Sequence, residues 1–195
     1  MDSFESLIKT LLEREGFWVR SSFKVSLTKA DKQAIKRPSC PRWEIDLVAY
    51  RAAGNELRLI ECKSYLDSLG VRFTSLSGKD GSEHYKLFTD SNLRAVVVNR
   101  LTAQLVQAGS CLPDPRVTLC LAAGKIKNDR DCENLAQLFK NNDWLLWDDQ
   151  WICKALREMS NDSYENDVAS IVAKLLVRGS SASHHGNASP TTRAR

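Results

Sequence analysis

The alternation of apolar and polar positions divides this chain into helical and extended stretches. Over residues 3–15, Phe4, Leu7, Ile8, Leu11 and Leu12 recur at helical spacing, with Ser3 placed to cap and Gly16 to stop, which predicts an amphipathic first helix. Residues 17–27 are rich in aromatic and β-branched side chains and alternate loosely, as a strand does. Residues 43–50 and 57–64 predict two further strands, joined as a hairpin by a turn at Gly54-Asn55. Helical periodicity returns over residues 92–108, where Leu93, Val96, Val97, Leu101 and Leu105 share one side and Gly109 terminates the run. Arg100 and Gln104 interrupt that stripe, either pointing at an active site or snorkelling at its edge. Residues 117–122 form a short apolar strand between Pro113-Asp114-Pro115 and Gly124, suited to a buried place in a mixed or parallel sheet. A helix over 131–141 and a strand over 144–147 complete an α/β alternation: a central mixed sheet flanked by helices.

The rest of the folded chain reads as helical. Asp148 or Asp149 caps residues 150–159, and Asp162 or Ser163 caps residues 164–177, whose Val168, Ile171, Val172, Leu175 and Leu176 form a stripe. Two helices and a tight turn invite a helix-turn-helix reading, but the second helix carries few base-reading side chains. Packing against the sheet or a second subunit is the expected role. From residue 179 the composition is that of a disordered tail, and His184-His185 is too sparse for a metal site. The expected organisation is one domain over residues 1–178, with a core over 3–147, a C-terminal helical extension over 149–178 and a tail over 179–195.

Composition narrows the setting. No basic-then-apolar leader opens the chain and no apolar run is long enough to span a bilayer, so a soluble cytoplasmic protein without membrane contact is expected. Six cysteines show no C-x-x-C pair and no regular spacing with the three histidines, which predicts neither a zinc site nor a disulfide framework. The net charge of +4 is too mild to prove a polyanionic partner, so clustering matters more. Residues 28–42 hold five cations (Lys29, Lys32, Lys36, Arg37 and Arg42), one anion and two prolines. Such a run is usually a solvated loop. This one leads into the strand carrying Asp46, where its cations would give salt-dependent, sequence-independent affinity for nucleic acid. Residues 65–89 read as an irregular connection with Gly70, Gly78 and Gly81; its His84 either touches substrate or is incidental.

The chemistry concentrates in the hairpin. Glu61 and Lys63 end an apolar strand one strand period apart, so both leave the same face. Pairing of the two strands lets Asp46 converge on them, a constellation suited to holding a metal and a polarised water for phosphodiester hydrolysis. The competing readings are a buried ion pair of Lys63 with Asp46 or Glu61, which stabilises weakly at best, or a plain polar strand face. Glu5, in the first turn of the first helix, also suits the helix dipole alone.

The order helix, three strands, helix, strand, together with Asp46 and Glu61-Cys62-Lys63, resembles the PD-(D/E)xK nuclease superfamily. Glu5, Gly16-Phe17 and Ile60-Glu61-Cys62-Lys63-Ser64 stand as they do in the archaeal Holliday-junction resolvases of that superfamily; the likeness covers roughly residues 3–125. It departs in one respect, since Ile45 and not proline precedes Asp46. The resemblance implies a restriction-endonuclease-like core and a Mg²⁺- or Mn²⁺-dependent deoxyribonuclease. Its catalytic residues would be Glu5, Asp46, Glu61 and Lys63, with the metal held by Asp46, Glu61, the main-chain carbonyl near Cys62, and Glu5. Duplex or branched DNA is the implied substrate, and a homodimer follows because two strands need two sites and the chain has one motif. The alternative is a catalytically silent nuclease-like protein that binds DNA or acts as a scaffold through a protein partner.

Overall fold

Asp2, one residue before the expected cap, closes the N-terminus of helix α1 (Ser3–Arg14). Its carboxylate accepts the Glu5 N–H at 2.7 Å, and Glu5 returns a bond to the Asp2 N–H, a reciprocal capping box. The computed structural model describes residues 2–39, 42–78, 83–163 and 165–182. They fall into two compact units, Met1–Asp149 and Gln150–Arg195, divided where the helical extension was placed.

In the first unit, α1 is followed by β1 (Trp18–Val25), helix α2 (Lys29–Ala34), β2 (Trp43–Arg51) and β3 (Glu56–Lys63). The basic segment is therefore not a plain loop. Thr28 and Asp31 form a second capping box, a T-x-x-D signal within the run of charge. The connection after β3 is likewise built of short pieces: α3 (Phe73–Leu76), a 3-10 turn (Glu83–Tyr85) and α4 (Lys86–Thr89). Then come α5 (Ser91–Gln107), β4 (Arg116–Ala123), α6 (Asp129–Asn141) and β5 (Leu145–Trp147).

The strands lie in the order β1-β2-β3-β4-β5. The first three are antiparallel neighbours, whereas β3, β4 and β5 run parallel. Parallel neighbours need crossovers, and α5 and α6 supply them. β3 is thus the middle strand, paired on both sides. Leu93, Val97, Leu101 and Leu105 of α5 join Leu57, Leu59, Leu119 and Leu121 in the main core. Leu47, Ala49, Ile60, Cys120 and Ala122 alternate onto the opposite face, where α1 buries Ile8, Leu11 and Leu12. Burying both faces explains why β4 reads as a nearly continuous apolar run.

The second unit holds most of α7 (Asp149–Ser160) and all of α8 (Val168–Ala182). Asp167 caps α8 by accepting from the Ala169 and Ser170 N–H groups. The helix therefore starts at Val168, the first residue of the apolar stripe, and four residues later than a cap at Asp162 or Ser163 predicts. It also runs to Ala182, taking in the first residues of the stretch assigned to the tail. His184 and His185 lie outside the described residues. No helix among those described is long and apolar enough to cross a membrane.

Candidate active site

Lys63 ends β3, and around its ammonium the fold gathers the carboxylates of both hairpin strands. Nζ lies 2.5 Å from Glu61 Oε1 and 3.9 Å from Asp46 Oδ2. The convergence rests on a break in the sheet. The β2–β3 ladder stops at Leu47 opposite Ile60, and the β1–β2 ladder skips the pair Ser22–Asp46, with Ser22 at φ 49°. Before the break Trp43 and Ile45 face the main core; after it Val48 and Tyr50 do, so the facing of β2 switches at Asp46. Such local defects re-aim a side chain beside a working site. Freed from the regular alternation, the Asp46 carboxylate reaches across to β3 and accepts the Cys62 N–H at 2.7 Å, beyond the end of the β2–β3 ladder.

The electrostatics are those of too many carboxylates. Burial pushes the Glu61 carboxyl above its usual range; Lys63 draws it back, and Asp46 and Glu5 raise it again. Burial opposes the charge on Lys63, but Glu61 and Asp46 outweigh it and hold the ammonium proton more firmly than usual. Burial, then Asp46, Glu5 and Glu61, also pushes up the Cys62 thiol, so only its main-chain carbonyl suits a hard cation.

Glu5 stands both at the helix cap and near the hairpin carboxylates. It completes the capping box of α1, and it stands within the field of Asp46 and Glu61. Burial, Asp46 and Asp2 together raise its carboxyl. Glutamine at the same position of a capping box keeps the acceptor and removes the charge. Glu5→Gln is therefore expected to raise the melting temperature slightly at pH 8. The gain shrinks as the pH falls through the raised titration of Glu5, where the wild-type carboxylate becomes neutral too. Thermal melts at pH 5 and pH 8 check this, and a variant less stable at both would leave Glu5 as a cap only.

The remaining predicted residues distribute as follows. Lys29, Lys36 and Arg42 are exposed, Lys32 and Arg37 half-buried, and the Arg37 guanidinium lies 6.0 Å from the Trp43 ring centre. Their segment joins the end of β1 to the start of β2, which is the sheet end where β3 finishes. Arg100 and Gln104 do not reach the site. Arg100 Nε donates to Asp31 Oδ2 at 2.6 Å and Gln104 Oε1 accepts the Ser26 N–H at 3.0 Å, so they tie the basic segment and the residue after β1 to α5. Thr28 first, then Arg100, holds the Asp31 carboxyl down at about 2. His84 is exposed and lines a cavity with Tyr65 and Tyr85.

Three positions were not singled out from the sequence. Gly124, read only as the end of a strand, lets β4 pass against β3: a Cβ there would stand 2.4 Å from Ser64 O and 3.2 Å from an atom of the Phe4 ring. Tyr65, directly after Lys63-Ser64, has φ 45° and hydrogen-bonds the buried Tyr85. Proximity to the motif would have flagged Tyr65, whereas nothing in the sequence marks Tyr85.

The donor set suits a small hard cation. Among the described residues, Asp46 Oδ1 and Glu61 Oε2 have no hydrogen-bond or ion-pair partner, and Glu5 adds a third carboxylate against one ammonium. No three His, Cys, Asp or Glu side chains among those residues already close into a cage. Two carboxylates with water are what Mg²⁺ ordinarily takes, since it dehydrates reluctantly. Comparison with known protein families, curated proteins and solved structures finds no match.

Proposed function

We propose that this chain is a metal-dependent endonuclease that hydrolyses phosphodiester bonds in DNA, built on a restriction-endonuclease-like core of the PD-(D/E)xK type. The observation that carries the reading is the meeting of Asp46, Glu61 and Lys63 where β2 and β3 part, with one oxygen of each carboxylate unpartnered among the described residues. A hairpin followed by a helical crossover to a parallel strand supports the finer fold assignment.

Asp46, Glu61 and the Cys62 carbonyl would hold Mg²⁺ or Mn²⁺, with Glu5 adding charge. The ion, when bound, supplies Lewis-acid stabilisation of the phosphate and a more acidic water. The chain's own groups do the rest. Asp46 is locked in orientation by the Cys62 N–H. Glu61 fixes the Lys63 ammonium, whose firmly held proton suits it to donate to a phosphate oxygen or to orient the attacking water, rather than to remove a proton. The cations of residues 29–42 would lie along the DNA backbone and add affinity that falls with salt. A homodimer belongs to the same reading. α8 exposes Val168, Val172, Leu175 and Leu176 at helical spacing, an apolar stripe suited to a second copy.

The test is incubation of the purified protein with supercoiled plasmid, linear duplex, single strand and a four-way junction, in Mg²⁺, Mn²⁺ or EDTA. Calorimetric titration with Mn²⁺ is run beside it on the wild type and Asp46→Ala, and sedimentation velocity on the same preparation counts copies. Metal-dependent cleavage, and a Mn²⁺ site lost with Asp46, are expected. DNA binding without cleavage of any substrate would assign the chain to a recruiting role through a protein partner.

A further inference from the structure

Beyond Lys63 the chain turns sharply. Tyr65 takes up a left-handed backbone conformation, with φ 45°. Side chains larger than glycine seldom adopt it unless their surroundings enforce it, and such residues gather at ligand sites. Here the phenol hydrogen-bonds Tyr85, which is 4 % exposed. Both rings line a cavity of about 490 Å³ together with Leu69, Arg72 and His84. That volume falls within the roughly 300–1,000 Å³ of small-ligand sites. The cavity adjoins the candidate active site, because Tyr65 of its wall stands two residues beyond Lys63 at the end of β3.

The cavity is built, not a gap left by a loose loop. Gly70 has φ +86°, and a Cβ on it would press on the main chain at Lys125 and Ile126 at 2.9 Å. Val71 pairs as a β-bridge with Ile126, and Lys125 Nζ donates to Ser68 O at 2.6 Å. The wall is thereby fixed to the segment that follows β4. At the rim, Leu69 is 72 % exposed, a large apolar side chain standing in water beside an aromatic pair. The Arg72 guanidinium makes no hydrogen bond or ion pair among the described residues and is exposed.

Aromatic rings, an apolar rim residue and an exposed guanidinium are the components that recognise an unstacked nucleotide: ring faces for the base, a cation for its phosphate. We propose that the cavity binds one unpaired nucleotide of the substrate strand next to the scissile phosphate. DNA carrying a gap, flap or bulge is then preferred to continuous duplex, whose stacked bases cannot enter. This inference rests on the reading of the Asp46–Glu61–Lys63 site as one that acts on DNA.

The experiment measures binding in Ca²⁺, without turnover, of a duplex with one bulged 2-aminopurine and of its fully paired counterpart, and scores plasmid cleavage in Mg²⁺ on the same preparation. Expected are affinity for the bulged DNA at least about ten-fold above the paired duplex and a change in 2-aminopurine fluorescence. Leu69→Ser and Arg72→Gln, both at exposed positions, should each reduce the preference while leaving the melting temperature unchanged. Tyr65→Phe should keep it, and Tyr65→Ala should cost about ten- to a hundred-fold in affinity. Equal affinity for both DNAs, with the two exposed variants silent, overturns the inference even where plasmid is cleaved. The preference without cleavage supports the cavity and removes the nuclease reading alone. Fluorescence change from a free mononucleotide, with no preference between strands, overturns the assignment to a DNA strand.

Discussion

Lys63→Ala lowers metal-dependent DNA cleavage by about a hundred- to a thousand-fold, the usual effect of removing one well-placed donor to the reacting group, and leaves Mn²⁺ binding in place. The ammonium contributes no oxygen to a cation, so the carboxylate set survives its loss; removing a competing positive charge tightens binding if anything. Stability changes with a definite sign. In the variant, Glu61 remains mostly buried without the cation 2.5 Å away, and its already raised carboxyl rises further. An unfolded glutamate titrates near about 4.3, so between that pH and the raised folded value the folded state binds more protons than the unfolded. Relative to wild type, the variant therefore loses stability as the pH rises through that window and regains it on acidification. The loss is smaller than the roughly 3–5 kcal/mol of a fully buried pair, because the Glu61 side chain keeps 17 % of its exposure. Melts at several pH values, with cleavage assays in Mg²⁺, read both effects, and undiminished cleavage would remove Lys63 from the mechanism.

Gly124→Ala is expected to disable the site from the neighbouring strand. The added Cβ meets the Ser64 carbonyl oxygen at 2.4 Å, a main-chain atom that cannot swing away as a side-chain tip can. The Gly124 N–H also donates to Lys63 O at 2.9 Å, so the ends of β3 and β4 must part where the ammonium is positioned. Overpacking of this kind costs about 1–3 kcal/mol. A displacement near 1 Å at a reacting centre can cost on the order of a hundred-fold in rate. The expected result is a melting temperature several degrees lower and a larger proportional loss of cleavage than of stability. A variant that melts and cleaves as wild type would show that the strand ends adapt freely.

What was legible in the chain depended on range. Asp46, Glu61 and Lys63 are brought together by a strand period of two and a hairpin closed within a few residues, both short-range properties. The helix over α5 shows in its apolar spacing for the same reason. The partners of Arg100 and Gln104 are 69 and 78 residues away, so no local pattern points to them. The reversal of facing at Asp46 depends on Ser22 taking φ 49° in the adjacent strand, which its identity does not announce. At α8 three capping residues, Asp162, Ser163 and Asp167, stand within six positions, and local propensity does not choose among them. The T-x-x-D box of α2 is a local signal, but a six-residue helix has too few turns to show the periodicity that would support it.

The bond from the Cys62 N–H to Asp46 Oδ2 has a use apart from chemistry. Most amides in a central strand are shielded by a neighbouring carbonyl and report only whether the sheet is intact. This one is held by an ionisable side chain, so its proton resonance registers the charge on the carboxylate. A single peak in a heteronuclear correlation spectrum becomes a built-in probe, moving when a cation docks or a proton arrives while the flanking amides stay still.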